Sequence, residues 1–151
     1  MAGLETGVES LGGLQSAIMI PPFEKNGYLP PGIHSASIEE VVERFGTGSE
    51  QREAQAQSLL WLIPICRRAG VTKVLINGSF VTDRLEPNDV DCVLLEGSSY
   101  RRNSLAAEDL RQGLPFLEIK TVEAEEYTFF GDILFSSDRD MMMKGLIEVE
   151  L

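Results

Sequence analysis

Gly78 and Ser79, followed after nine intervening residues by Asp89-Val90-Asp91, are the residues of this chain whose types and spacing could do chemistry. Lys73–Ile76 ahead of them is a short apolar, β-branched run that Gly78-Ser79 ends abruptly, so a turn is expected at the end of a buried strand. Asp89-Val90-Asp91-Cys92-Val93-Leu94-Leu95 has the composition of a second strand. Its period of two puts Asp89 and Asp91 on one face and Val90, Cys92 and Leu94 on the other. Two carboxylates at successive positions of one face repel each other unless something positive lies between them. A divalent cation resolves that conflict. Magnesium suits the pair best, because it is commonly held by one or two carboxylates together with substrate phosphates. The Gly-Ser turn offers the complementary grip. Glycine lets backbone approach a phosphate closely, and the serine hydroxyl and following amides can donate to its oxygens, as at a helix N-terminus.

The elements that must position these groups are legible on either side. Ser37-Ile38-Glu39-Glu40 is a capping box, and Ile38, Val41, Val42 and Phe45 fall on one helical face that Gly46 ends. Thr47-Gly48-Ser49-Glu50 starts a longer helix toward Gly70, with Leu59, Leu62, Ile63 and Cys66 inward and Trp61 expected to anchor the core. Pro64 is expected to kink that helix or shorten it near Leu60. Ser104–Gln112 reads as a short helix closed by Gly113, and Leu114–Val122 as a third strand with Glu118 and Lys120 on its polar side. An aromatic segment with Tyr127, Phe129, Phe130, Ile133 and Phe135 reads as a helix capping the core. Ser136–Met143 reads as a loop too flexible to preorganise Asp138 and Asp140. Leu146–Leu151 alternates as a half-buried strand, expected at a sheet edge. Residues 1–20 read as a Gly-rich flexible tail, and 21–151 as one domain, opened by an extended run through Pro21-Pro22 and Pro30-Pro31.

The chain has 151 residues, 43% hydrophobic and 25% charged, which is ordinary for a single core. A net charge of −11 from 24 acidic and 13 basic residues argues against nonspecific binding of nucleic acid, because phosphate contacts need a basic surface. Arg67, Arg68, Lys73, Arg84, Arg101 and Arg102 could build a local basic groove but read as solvated faces and loop charges. The two cysteines, Cys66 and Cys92, make no disulfide framework and read as buried small hydrophobes. The first twenty residues lack the basic region of a signal peptide, and no apolar stretch is long enough to span a membrane, so a cytoplasmic protein is expected. His34 is the single histidine, which leaves no basis for a histidine-rich zinc site or a Ser-His-Asp triad.

Strand, Gly78-Ser79, short spacer and Asp89-Val90-Asp91 on the next strand together resemble the nucleotidyltransferase superfamily of the DNA polymerase β type. More narrowly, the chain resembles small bacterial nucleotidyltransferase-like proteins. That resemblance rests on Asn26-Gly27-Tyr28-Leu29-Pro30-Pro31-Gly32-Ile33-His34, Gly78–Thr82, Pro87–Asp91 and Lys144-Gly145-Leu146-Ile147, and it extends over about residues 22–151. It implies an α/β (α+β) domain with a mixed sheet of at least four strands and helices mainly on one face. It also implies transfer of a nucleoside monophosphate from a nucleoside triphosphate such as ATP to a hydroxyl, with magnesium or manganese. Asp89 and Asp91 would hold the metal, and Gly78, Ser79 and Arg84 would contact phosphate. The superfamily takes a third carboxylate from the third strand; Glu118 is the candidate and Glu123 the alternative. Small relatives modify a protein side chain or a tRNA end in toxin-antitoxin systems, and the acidic charge favours a protein acceptor. The alternative is a nucleotide-binding or antitoxin-like partner that keeps the fold without turnover.

Overall fold

The structure, a computed structural model, describes residues 20–134, 137–138 and 140–151. The tail expected over residues 1–20 lies outside these apart from Ile20, as do Phe135 and Ser136. Five strands, β1 (Gly32–Ser35), β2 (Val71–Asn77), β3 (Val90–Glu96), β4 (Leu117–Val122) and β5 (Gly145–Glu150), form one mixed sheet in the order β1-β5-β2-β3-β4. β2 is antiparallel to β3 and β5, whereas β1 runs parallel to β5 and β4 parallel to β3. This is an α/β fold with a mixed sheet of more than the four strands expected.

Three helices cover one face of the sheet. α1 (Ile38–Phe45) starts on the predicted capping box, with Ser37 Oγ accepting from Glu40 N and Glu40 Oε1 from Ser37 N. α2 (Glu50–Ala69) starts on Ser49, and α3 (Leu105–Gln112) on Ser104. Their buried stripes (Ile38, Val41 and Phe45; Leu59, Leu62 and Cys66; Ala106 and Leu110) meet Val74, Ile76, Cys92, Leu94, Ile147 and Val149 of the sheet. Cys66 and Cys92 are buried there as small hydrophobes, and burial pushes the Cys66 thiol up to about 12. On the opposite face α4 (Ala124–Phe129), continued by a π turn over Phe130–Leu134, covers Leu75, Val93, Val122 and Leu146 through Tyr127 and Phe130. Tyr127 Oη donates to Glu148 Oε2 at 2.9 Å, which ties this helix to β5.

Several expectations are corrected. Trp61 is 52% exposed, not a core anchor. It stands two residues from Leu59, about 200° round the helix and away from the buried stripe. Pro64 neither ends nor shortens α2, which runs through it to Ala69. The hydrogen bond that Pro64 forfeits would end on the Leu60 carbonyl, and both residues are exposed, so water can serve that oxygen. β5 is not at an edge but lies between β1 and β2. Leu146 and Ile147, adjacent and both buried, already require cover on both faces. The edge position goes to β1, which begins where the expected extended run through Pro30-Pro31 ends. It is short and enters through Pro30-Pro31, as suits an edge. His34, on β1, contacts the Pro30 carbonyl through Nε2 at 2.7 Å and serves to fix this entry. Gly145 opposite leaves no room for a Cβ between Leu29, Pro30 and His34. Among the described residues, no helix is long and apolar enough to cross a membrane.

Candidate active site

The nine-residue spacer is held by the first half of α2. Ser49 Oγ donates to the Leu85 carbonyl at 2.9 Å and Gln51 Nε2 to Pro87 at 3.3 Å. Gln55 Nε2 donates to Pro87 at 3.1 Å and also to the Asn88 carbonyl. Between them Arg52, 6% exposed, spends its guanidinium on main-chain carbonyls of Phe45 (2.9 Å), Phe80 (2.8 Å), Thr82 (2.7 Å) and Arg84. Burial lowers its pKa, while the charge of Asp83 supports the cation. A helix face of polar side chains thus acts as a template for the loop. Sequence reading missed it because Ser49, Arg52 and Gln55, spaced three apart, look like a solvated face; their signal was a polar stripe where α2 needed cover.

The turn itself is tight. Gly78 has φ +94° and ψ −174°, a region open essentially to glycine alone, and an added Cβ would stand 3.1 Å from Asp91 Oδ2. A single 3-10 turn, Ser79–Val81, follows instead of a full helix, so the anion grip expected of a helix N-terminus is reduced to one turn. Ser79 Oγ accepts from Asn88 N at 2.9 Å, which leaves the hydroxyl proton to donate into the cleft. Asn77, buried beneath the turn, pairs in register with Asp91.

Asp91 stands opposite Glu118 in the parallel β3–β4 register, and antiparallel β2 brings Asn77 to its other side. Asp89 lies one residue before β3, exposed at its entrance. The Asp91 and Glu118 carboxyl groups are in hydrogen-bond contact. Desolvation first, then Glu118, raises Asp91 to about 6. Of the two candidates for a third carboxylate, Glu118 is the one in the cleft. Glu123 is directed to Arg102 at 3.3 Å, beside Glu96 in a separate hollow. Lys120, on the same side of β4 as Glu118, lies over the Phe130 ring at 5.9 Å.

These groups line an open cleft of about 980 Å³ that also takes in Thr82 and the exposed Arg84. Its far wall holds residues that sequence reading did not place there. Tyr28 pairs its backbone with Thr82 and donates its hydroxyl to Asp138 Oδ2 at 2.6 Å. Asp138 Oδ1 accepts from the backbone amides of Asp140 and Met142, each at 2.9 Å, so the Asp138 carboxylate is tied to its own backbone as well as to Tyr28. Lys144, half-buried just before β5, completes the wall. Among the described basic residues, Arg102 pairs with Glu96 and Glu123, Lys73 with Glu148, and Arg101 donates to the Arg68 carbonyl.

Among the described residues, no three His, Cys, Asp or Glu side chains are arranged to hold a metal by themselves. Magnesium asks less, one or two carboxylates completed by phosphate and water. Two carboxyl groups in contact, one of them partly desolvated, need a shared proton or a cation between them, and in that respect Asp91 and Glu118 fit such an ion.

A family pattern matches residues 21–150, from the segment that carries Tyr28 to the end of β5. The chain belongs to that family, DUF6932, a family of unknown function. The whole cleft falls inside the DUF6932 span. No curated protein and no solved structure matches the chain.

Proposed function

We propose that the cleft is a nucleotidyltransferase site of the DNA polymerase β type, taking a nucleoside triphosphate with magnesium or manganese and passing the nucleoside monophosphate to a hydroxyl. The observation that carries this reading is the contact of Asp91 with Glu118 at the floor of a cleft whose side is the glycine-only turn at Gly78-Ser79. Asp89, Asp91 and Glu118 would hold the metal, which when bound neutralises phosphate charge and polarises the reacting phosphorus. The Ser79 hydroxyl and the amides of its turn would orient phosphate oxygens, with Arg84 reaching them from the rim. In the transfer, the acceptor oxygen bonds to the α-phosphorus and the bond to pyrophosphate breaks. The hydroxyl proton passes to Glu118, the more exposed of the two carboxylates in contact. An acceptor on a partner protein suits the net charge of −11 better than a tRNA end, and an intracellular toxin-antitoxin pair is one setting for it.

The test is calorimetric titration of each nucleoside triphosphate with and without magnesium, followed by measurement of pyrophosphate release with protein and tRNA acceptors. Metal-dependent binding with release upholds transfer. The exposure of Glu118, which leaves its carboxylate loosely held, favours a second reading, a nucleotide-binding or antitoxin-like partner without turnover. Binding without release for every acceptor would uphold that one, and no binding at all would remove both.

A further inference from the structure

Lys144 is a half-buried ammonium in a cleft, and among the described residues it makes no hydrogen bond and no direct ion pair. A lysine in such a place is ordinarily solvated or paired, because three donors taken from water without a partner cost free energy. Burial accordingly lowers its pKa, and what keeps it charged is Asp91 first and then Asp138. These two acids belong to different parts of the site. Asp91 is in the carboxylate pair on the floor, whereas Asp138 is fixed on the far wall by Tyr28 Oη and by two backbone amides. Asp138 is therefore committed to its own turn, and Asp91 to Glu118. The lysine between them has its donors unspent and faces the same cavity as the Ser79 hydroxyl.

We propose that Lys144 is a built-in counter-ion that exchanges roles on loading: with the cleft empty of ligand it offsets the charge of Asp91, and with a metal-bound triphosphate it donates to phosphate oxygens. This rests on the nucleotide reading of the cleft and adds to it the residue that recognises the anion. Magnesium and Lys144 both act on Asp91, so each weakens the other's interaction with it. Triphosphate reverses that antagonism, because its oxygens give the displaced ammonium a new partner. Lys144 therefore opposes bare metal and favours metal with nucleotide.

The experiment is calorimetry on the full chain as wild type, Lys144→Gln and Lys144→Arg, with magnesium alone and then with magnesium and an α,β-methylene nucleoside triphosphate. Lys144→Gln is expected to bind magnesium alone more tightly, by about three- to tenfold, and the metal–nucleotide more weakly, by about tenfold. Lys144→Arg keeps both affinities near wild type, which also controls for folding. A lysine that only supports the loop would move both affinities in the same direction, and that result, or no change in either, overturns the proposal. Wild type that takes up neither magnesium nor nucleotide overturns the nucleotide reading itself.

Discussion

Asp91→Asn should stabilise the protein in the absence of metal, although Asp91 sits at the centre of the site. The Asp91 carboxyl is raised from 3.8 to about 6 by desolvation and by Glu118 beside it. For an acid raised on folding, the folded state binds the proton more tightly. The benefit is present below 3.8 and is lost as the pH rises through about 6. That interval corresponds to about 3 kcal/mol at 1.4 kcal/mol per pH unit, and the partial exposure of the group reduces it to about 1–2 kcal/mol. Asparagine carries no charge, and its amide can still donate to Glu118, so the variant escapes the loss. For a chain of this length each kcal/mol moves Tm by roughly 2–4 °C.

The assay is thermal unfolding of wild type and Asp91→Asn in chelator from pH 4 to pH 8. The difference between the two cancels the titration of all groups that they share. The melting temperatures should nearly coincide at pH 4 and separate through pH 6, with Asp91→Asn higher by roughly 3–6 °C at pH 7.5. Magnesium should then raise the wild type at pH 7.5 and leave the variant where it is. A variant that is less stable at every pH, or whose gain does not grow between pH 4 and pH 6, would refute the placing of a desolvated carboxylate pair at the floor of the cleft.

Arg52→Met keeps much of the side-chain volume but strips four carbonyls of their donor. A loss of about 2–4 kcal/mol is expected in urea unfolding, with faster amide exchange over residues 82–88 than over β2. Gly78→Ala forces a side chain into a glycine-only conformation 3.1 Å from Asp91 Oδ2. It should cost about 1–3 kcal/mol and weaken metal–nucleotide binding by more than its effect on folding accounts for, as calorimetry beside denaturation will show. Glu118→Gln should lower the turnover of any acceptor by about a hundredfold or more while leaving nucleotide binding within about tenfold, read from single-turnover pyrophosphate release. Glu123→Gln should leave both unchanged.

Local rules carried the sequence reading a long way. Ser37 caps the helix it is expected to cap, the cap of α2 falls within the expected Thr47–Glu50 stretch, α3 lies within the expected Ser104–Gln112, and the alternation of Leu117, Glu118 and Ile119 is enough to give Glu118 its face. Where the reading fell short, the missing information was tertiary. Nothing local says that Asp138 and Lys144, more than forty residues beyond Asp91, come back to the same cleft. That depends on β5 slotting between β1 and β2, and the sequence reading placed β5 at an edge. Arg52 was lost for a related reason: a buried arginine whose partners are main-chain carbonyls leaves no complementary residue to find. Trp61 was misplaced although its phase against Leu59 and Leu62 already put it outside, because side-chain size was given more weight than angle.

The costs in this fold are not spread evenly. Gly78 occupies a backbone conformation closed to other residues, and Asp91 and Glu118 are in contact with only the Lys144 ammonium to offset them. Asn77 Oδ1 is buried with no hydrogen-bond partner among the described residues, and Arg52 buries a cation whose hydrogen bonds all go to neutral carbonyls. Each lies on the cleft, directly beneath it or in the template that shapes it. Asparagine at Asp91, an apolar residue at Asn77 or a longer turn at Gly78 would relieve three of these costs, whereas Arg52 is retained by the four carbonyls it serves. A domain selected for stability alone would have little use for the carboxylate pair or for the unpartnered Asn77. Strain and unmatched charge gathered around one cleft mark where the surrounding structure holds groups ready for a ligand that it does not itself contain. The ligand that would relieve most of them is a cation on the carboxylates with an anion above the turn. The placement of Gly78, Asp91, Glu118, Asn77 and Arg52 calls for that pair of charges even if the transferred group is not a nucleotide.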